Sequence, residues 1–495
     1  MNRIKLLSIT LIVAVAFWGC NEILEDVSPA TSLPGDLVVN DADGVEALRA
    51  SMYSHMRASF GYTTQHFVAP SAFTDETRNR PGSTRFQAYT QATGTDGGRT
   101  HPGTTWSATY DIIQDANIII GAIGEGVLPA ETLNRYRGEA LALRAFAMHN
   151  LVRGFGYEPG QEVGGWDRGV IIRTEPTLDV ADADFRARST VAQVYDQIFA
   201  DLNEAKSLLA GHNSDTSYIT EAFVDGMMAR AHLYAGNWTQ AAQAAEAAMA
   251  NFPAGLQNTP DGVAGMFDEN AGNHPEALFV IRVNPVTEAI AGSNANNGLA
   301  SYTSNGFAAQ QPTQFVIDQY EDGDYRLGWY GDCIENQTNA GLNVATGCEN
   351  VNDNAWSLLK FNGNKGTTGS LVDDIPYMRL AEVYLIHAEA SARAANSPAA
   401  GVTSLNDLRS ARGVGPVPAT ALANMTAFED FILAERVREL AMEGHRFWDL
   451  KRMGRDIRNP DGSSKIRYDS YRILAPVPTG ELGVNELLED NPGYS

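Results

Sequence analysis

The sequence is short of positive charge, of cysteine and of long apolar runs, and each shortage removes a class of function. Its 495 residues carry 36 Lys and Arg against 60 Asp and Glu, a net charge of −24 at pH 7. A surface that tracks nucleic-acid phosphates needs clustered cations to displace condensed counterions, so nucleic acid is excluded as a partner. An anionic bilayer surface would repel the same excess of carboxylates. No βαβ rhythm, Walker loop or G-x-G-x-x-G is present, and neither HExxH, CxxC nor an EF-hand loop occurs, so no cofactor or metal is expected. Asp322, Asp324 and Asp332 are too loosely placed for a calcium site. What is plentiful is apolar side chain, 44% against 19% charged, which allows substantial cores and excludes wholesale disorder.

The apolar run from Leu6 to Trp18 comes after Arg3 and Lys5 and is too short for a hydrocarbon core that takes about 20 residues to span. It reads as a secretory signal, residues 1–19. Gly19-Cys20 at its end resembles a bacterial lipobox, in which the Cys20 thiol is acylated and becomes the first mature residue. Phe17 and Trp18 depart from the small or aliphatic residues usual there, and an ordinary signal peptide with an incidental cysteine is the alternative. Residues 20–34, with Glu22, Glu25, Asp26, Pro29 and Pro34, read as a lipidated tether that holds a globular body off the membrane.

Helical periodicity dominates the chain beyond Pro34. Leu133 to Phe155 carries Leu141, Ala145, Met148 and Val152 at spacings of three and four, and Val191 to Leu209 repeats the pattern behind Ser189 or Thr190 as N-cap, with Gly211 as the stop. Ala229, Gly236, Trp238, Ala241, Ala245, Ala248 and Pro253 fall on the small, turn, aromatic and terminator positions of a tetratricopeptide unit. One such unit cannot bury its face alone, so several stacked pairs are expected. Between residues 254 and 374 periodicity fades, and Asn, Gly and aromatics crowd together, as in a loop-rich insertion. Cys333 and Cys348 lie there, and in an exported protein they are expected to pair, contributing about 3 kcal/mol by loop closure; two free thiols are the alternative.

The C-terminal blocks carry a family resemblance. Ile375-Pro376-Tyr377-Met378-Arg379-Leu380-Ala381-Glu382, Leu405-Asn406-Asp407-Leu408-Arg409, Glu435 through Arg452, Pro476-Val477-Pro478 and Asn491-Pro492-Gly493-Tyr494 resemble the SusD/RagB family of outer-membrane nutrient-binding lipoproteins. Upstream, Trp106 to Tyr110 and Glu139 to Phe146 also fit. The resemblance implies a mainly α fold: stacked tetratricopeptide-like helical pairs, residues 35–253 and 375–495, around a ligand-face insertion at 254–374. It further implies a lipid-anchored protein of the outer membrane, facing the cell exterior, which captures a glycan or other nutrient and passes it to a SusC-like TonB-dependent transporter. A surface glycoside hydrolase and a tetratricopeptide-type adaptor are the competing functions.

Glu439 and Glu443, four residues apart with His445 next, suggest a glycosidase pair. Arg436, Arg438 and Arg446 in the same stretch argue instead for an ion-pair lattice with lowered carboxylate pKa values, whereas a general acid needs a raised one. No catalytic residue is assigned. His387, on the face of Leu380, Val383 and Tyr384, is expected in the core with one nitrogen satisfied. A glycan binder uses aromatic faces and planar polar groups on loops. The candidates are Trp329 and Tyr330, between Gly328 and Gly331, and a second group of Phe86, Tyr89, Asp75, Arg78 and Arg80, in the early region that often contributes to the ligand face in the resembling family. Trp106, Trp238 and Trp448 fall on helical motifs and are expected in the core.

Overall fold

The computed structural model describes residues 39–57, 62–92, 100–177, 185–267, 274–284, 299–303, 309–332, 356–361, 363 and 373–494. The signal, the tether with Cys20, and the Cys333 and Cys348 pair lie outside the described residues.

Helices α1 (Ala42–Arg57) and α2 (Thr64–Ala72) lead into a short strand β1 (Thr77–Asn79) and a single helical turn α3 (Gln87–Thr90). Beyond them runs a consecutive array: α4 (Trp106–Gly121), α5 (Ala130–Phe155), α6 (Val191–Leu208), α7 (Glu221–Tyr234) and α8 (Trp238–Asn251), each packed on the next. The α6 start is a capping box: the Thr190 hydroxyl accepts from the Gln193 amide, and the Gln193 side chain accepts from the Thr190 amide. Ala241, Ala245 and Ala248 of α8 are buried, and small side chains there let α8 approach both of its neighbours, α7 and the helix after the insertion.

That later helix is α9 (Leu380–Ala395), so the stack continues across residues 254–374 as though they were extruded from it. The insertion is not all surface. Its strand β2 (Ala277–Ile281) is wholly buried and pairs antiparallel with β6 (Ile375–Arg379), from Ala277 opposite Arg379 to Ile281 opposite Ile375. Between them in sequence come β3 (Gln310–Pro312), β4 (Tyr330–Asp332) and β5 (Trp356–Leu358). Helices α10 (Val402–Ala411), α11 (Met425–Leu440) and α12 (Arg446–Arg452), the hairpin β7 (Ile457–Arg458) and β8 (Ser464–Ile466), and a last short helix α13 (Thr479–Val484) follow.

Trp106 and Trp448 are core residues, at 3% and 2% exposure. Trp238 is only half-buried: it opens α8 at the edge of the stack, and the Arg393 guanidinium of α9 covers its ring at 4.8 Å. No described helix is long and apolar enough to cross a membrane.

Candidate functional site

Glu439 and Glu443 do not share a helical face. α11 ends at Leu440, and the chain reverses through Met442 (φ 62°) and Gly444 (φ 82°) before α12 begins. A Cβ on Gly444 would lie 2.0 Å from the His66 carbonyl oxygen, so only glycine lets this turn sit against α2. Glu439 accepts from Arg379 and Arg412 at 2.9 Å and from Arg326 at 3.2 Å; Glu443 accepts from Arg379 and Lys360 at 2.7 Å.

These ion pairs belong to one connected lattice. Its six cations are Arg326, Lys360, Arg379, Arg409, Arg412 and Arg438; its six carboxylates are Glu276, Glu321, Asp324, Glu435, Glu439 and Glu443. Only Glu321 is substantially exposed, and the charges balance. Burial alone would raise the Glu439 carboxyl, but Arg412, Arg379 and Arg326 outweigh it and hold it well below the usual range; Arg379 and Lys360 likewise outweigh burial at Glu443 and lower it. Two acids held ionised in this way cannot donate a proton to a leaving group.

The lattice expected from the sequence is therefore present, but its partners differ. Arg436 binds Asp449 at 2.6 Å, Arg438 binds Glu435 at 2.8 Å, and Arg446 binds Asp75 at 2.8 Å. Asp324 is locked to Arg326 at 2.8 Å. His387 is part-buried and has partners on both nitrogens, Ser404 Oγ at 2.6 Å and Glu246 Oε1 at 3.2 Å.

Three sequence-predicted ligand residues are structural instead. Trp329 ends a 3-10 turn (Tyr325–Trp329) and is fully buried. Its indole N–H donates to the Val263 carbonyl at 2.7 Å, Phe267 meets it edge-on, and the Lys360 ammonium sits 4.2 Å from its ring centre. Gly328 is there for contact, not mobility: a Cβ would come within 2.6 Å of Ala264 Cβ. Tyr330 is 6% exposed and shares a 3.0 Å hydroxyl contact with Tyr320. Asp75 is 2% exposed and held by Arg446.

The remaining candidates form one surface. β1 pairs antiparallel with β3, with Thr77 opposite Pro312 and Asn79 opposite Gln310; β3 lies against β5, which pairs with β4. Asn79 organises the loop after β1: its amide nitrogen donates to the Ser83 and Arg85 carbonyls at 3.1 and 3.0 Å, and its oxygen accepts from Thr90 Oγ1 and Gln310 Nε2. Phe86, at φ 58°, turns the chain into α3. Its ring packs at 5.4 Å on Tyr89 and edge-on at 5.3 Å on buried Tyr302, while the Tyr89 hydroxyl donates to Gln65 at 3.0 Å. Phe86 and Tyr89 keep one side accessible, and Arg78 and Arg80 are half-buried beside them. Arg78 Nε and Nη2 have no hydrogen-bond partner among the described residues. Trp356 joins this surface from β5, half-buried, its N–H 3.3 Å from Gln314 Oε1. Sequence reading did not single it out; its tryptophan amid Asn and Gly was the available signal.

A cleft of about 550 Å³ adjoins the surface, lined by Ser464 to Arg467, Asp469, Ser470 and Arg472. Another, of about 440 Å³, lies between α4 and the chain near Arg173, Phe185 and Glu481 and contains no sequence-predicted residue. No described group of His, Cys, Asp and Glu is arranged to hold a metal ion.

The SusD family model matches residues 333–494, and the model described as starch-binding associating with outer membrane matches residues 26–233. SusD-like protein P2 of Formosa agariphila is 26% identical over 419 residues, covering 79% of this chain and 80% of its own. A SusD superfamily protein from Bacteroides vulgatus superposes with a TM-score of 0.73 at 25% identity, over 92% of this chain and all of its own. A laminarin-binding SusD-like protein agrees in fold, with a TM-score of 0.70 at 22% identity and the same coverage of both chains. Both family models name the group that the C-terminal blocks resemble, and the fold is shared with a solved structure of that superfamily: the chain belongs to the SusD/RagB family.

Proposed function

We propose that the protein is a surface lipoprotein, anchored through Cys20, that binds a glycan on the face built by β1, α3, β3 and β5 and hands it to a SusC-like TonB-dependent transporter. The observation that carries this reading is the arrangement around Asn79. A fixed amide network holds the loop that carries half-buried Phe86 and Tyr89, close in sequence to half-buried Arg78 and Arg80. Rings offer the apolar faces that sugar C–H surfaces need, and planar polar groups meet the hydroxyls. Membership of a family described as starch-binding and outer-membrane associated supports the same class.

Binding without turnover is favoured over hydrolysis because the one acidic pair suggested by the sequence is neutralised inside the arginine lattice. The test is affinity electrophoresis through gels containing polysaccharide, together with detergent extraction of native outer membranes. The chain should be retarded and should co-purify with a TonB-dependent barrel. A chain that migrates alike in every gel and extracts alone contradicts the proposal.

A further inference from the structure

The chain is strongly acidic, yet its candidate ligand face is not. Residues 77–92 contain Arg78, Arg80 and Arg85 and no acid. The two acids just before them are spoken for. Asp75 is bound by Arg446, and burial pushes the Glu76 carboxyl up to about 7, so it is not a full negative charge at neutral pH. The cleft beside this face adds Lys465, Arg467 and Arg472 against a single lining acid, Asp469, which Arg467 takes.

Lys465 and Arg472 have no carboxylate within ion-pair distance among the described residues. Lys465 Nζ donates to the Phe73 carbonyl at 3.1 Å, and burial lowers its ammonium to about 8, with only the more distant charge of Asp75 opposing. Arg472 Nε and Nη2 are buried and unpartnered among the described residues, as are Nε and Nη2 of Arg78. Many of the described buried cations are matched with acids, as in the six-by-six lattice. Here Lys465 and Arg472 line one cleft, part-desolvated, with no acid within ion-pair distance among the described residues. A part-desolvated ammonium and guanidinium on one cleft wall without an acid are a cost to folding, and an oxyanion in the cleft would offset it. The cleft is also one ring from the aromatic face, since Phe73, whose carbonyl holds Lys465, meets Tyr89 edge-on at 6.4 Å.

We propose that the ligand is an anionic glycan, its carboxylate or sulfate held between Lys465 and Arg472 while neighbouring sugar faces lie against Phe86 and Tyr89. This rests on the glycan-binding reading above and narrows it to a chemical class.

Calorimetric titration at low and high NaCl tests it with four probes: polygalacturonate for carboxylate, a sulfated galactan for sulfate, and soluble starch and laminarin as neutral controls. At least one acidic polymer should bind tenfold or more tightly than either neutral one, with an affinity that falls as salt rises, against the repulsion expected from the chain's net charge. The Lys465→Gln/Arg472→Gln variant, checked for an unchanged melt, should lose at least tenfold toward that acidic polymer, while Arg467→Gln should lose little. Should the double variant fold poorly, the salt dependence of the unmodified protein still decides. Neutral glycan bound equally well or better, without salt dependence, overturns the anionic assignment and leaves glycan binding standing. No binding of any probe overturns the glycan-binding reading itself.

Discussion

Replacing Glu439 by Gln keeps the shape of the side chain and removes one charge from the lattice. The six cations and six carboxylates are balanced, so the variant leaves one net positive charge in a site where every cation is buried. Arg412 would retain Glu276, Arg379 would retain Glu443, and Arg326 would retain Asp324 and Glu435, but three guanidinium groups would share one weakened acceptor. Removing one partner from a buried ion pair costs about 3–5 kcal/mol. At about 1.4 kcal/mol per decade, that is roughly two to four orders of magnitude in the folding equilibrium. Urea unfolding of the purified protein at pH 7 reads it as a fall in midpoint at unchanged slope. The sign with pH comes from the depressed pKa of Glu439: its contribution is fully present above the unfolded carboxylate range, near 4.3, and is lost as pH falls toward its folded value. The gap between wild type and variant should therefore narrow below about pH 4. A Glu439→Gln protein as stable as the wild type, or one that is stable but has lost a hydrolytic activity, would refute the structural role.

Trp329→Ala should lower stability by about 3–5 kcal/mol while glycan affinity stays unchanged, because the ring fills the core beneath Lys360; a normal melt with lost binding would contradict this. Glu76→Gln should stabilise the protein at pH 8 by up to about 3 kcal/mol, since burial raises the folded pKa and ionisation above it is penalised; the gain should vanish below about pH 4.5, and equal stability at both pH values would contradict it. Cys20→Ser should move the protein from the membrane fraction to the soluble one if the proposed acyl anchor at Cys20 attaches it; unchanged retention would contradict that anchor.

Helix positions were legible because periodicity and caps are local. Thr190 and Gln193 specify the start of α6 through their own hydrogen bonds, and Leu133 to Phe155 carries its burial in its spacing. The proposed ligand face was half legible. Phe86, Tyr89, Arg78 and Arg80 sit where a short run of sequence presents them, whereas Trp329 was misread because its burial is non-local. The short helix Pro260–Ala264 and residues Phe267 and Lys360, about sixty and thirty residues away in sequence, close over it. The same reason hid the true partners of Glu439 and Glu443. Arg326, Arg379 and Arg412 come from three separate elements, while the arginines nearest in sequence turn to other acids. Trp356 escaped notice because its place on the face depends on β3 lying against β5, a contact between segments more than forty residues apart.

Glycan capture without cleavage by the Phe86 and Tyr89 face is tested most directly by titration calorimetry of wild type and Tyr89→Ala against a bound polysaccharide, with chromatography of the same samples for released sugars. Capture predicts a saturable isotherm for wild type, weakened by about 1–3 kcal/mol in Tyr89→Ala at a temperature where the variant is still folded, and no oligosaccharide products from either. Equal binding by both proteins, or oligosaccharides accumulating with time, would contradict it.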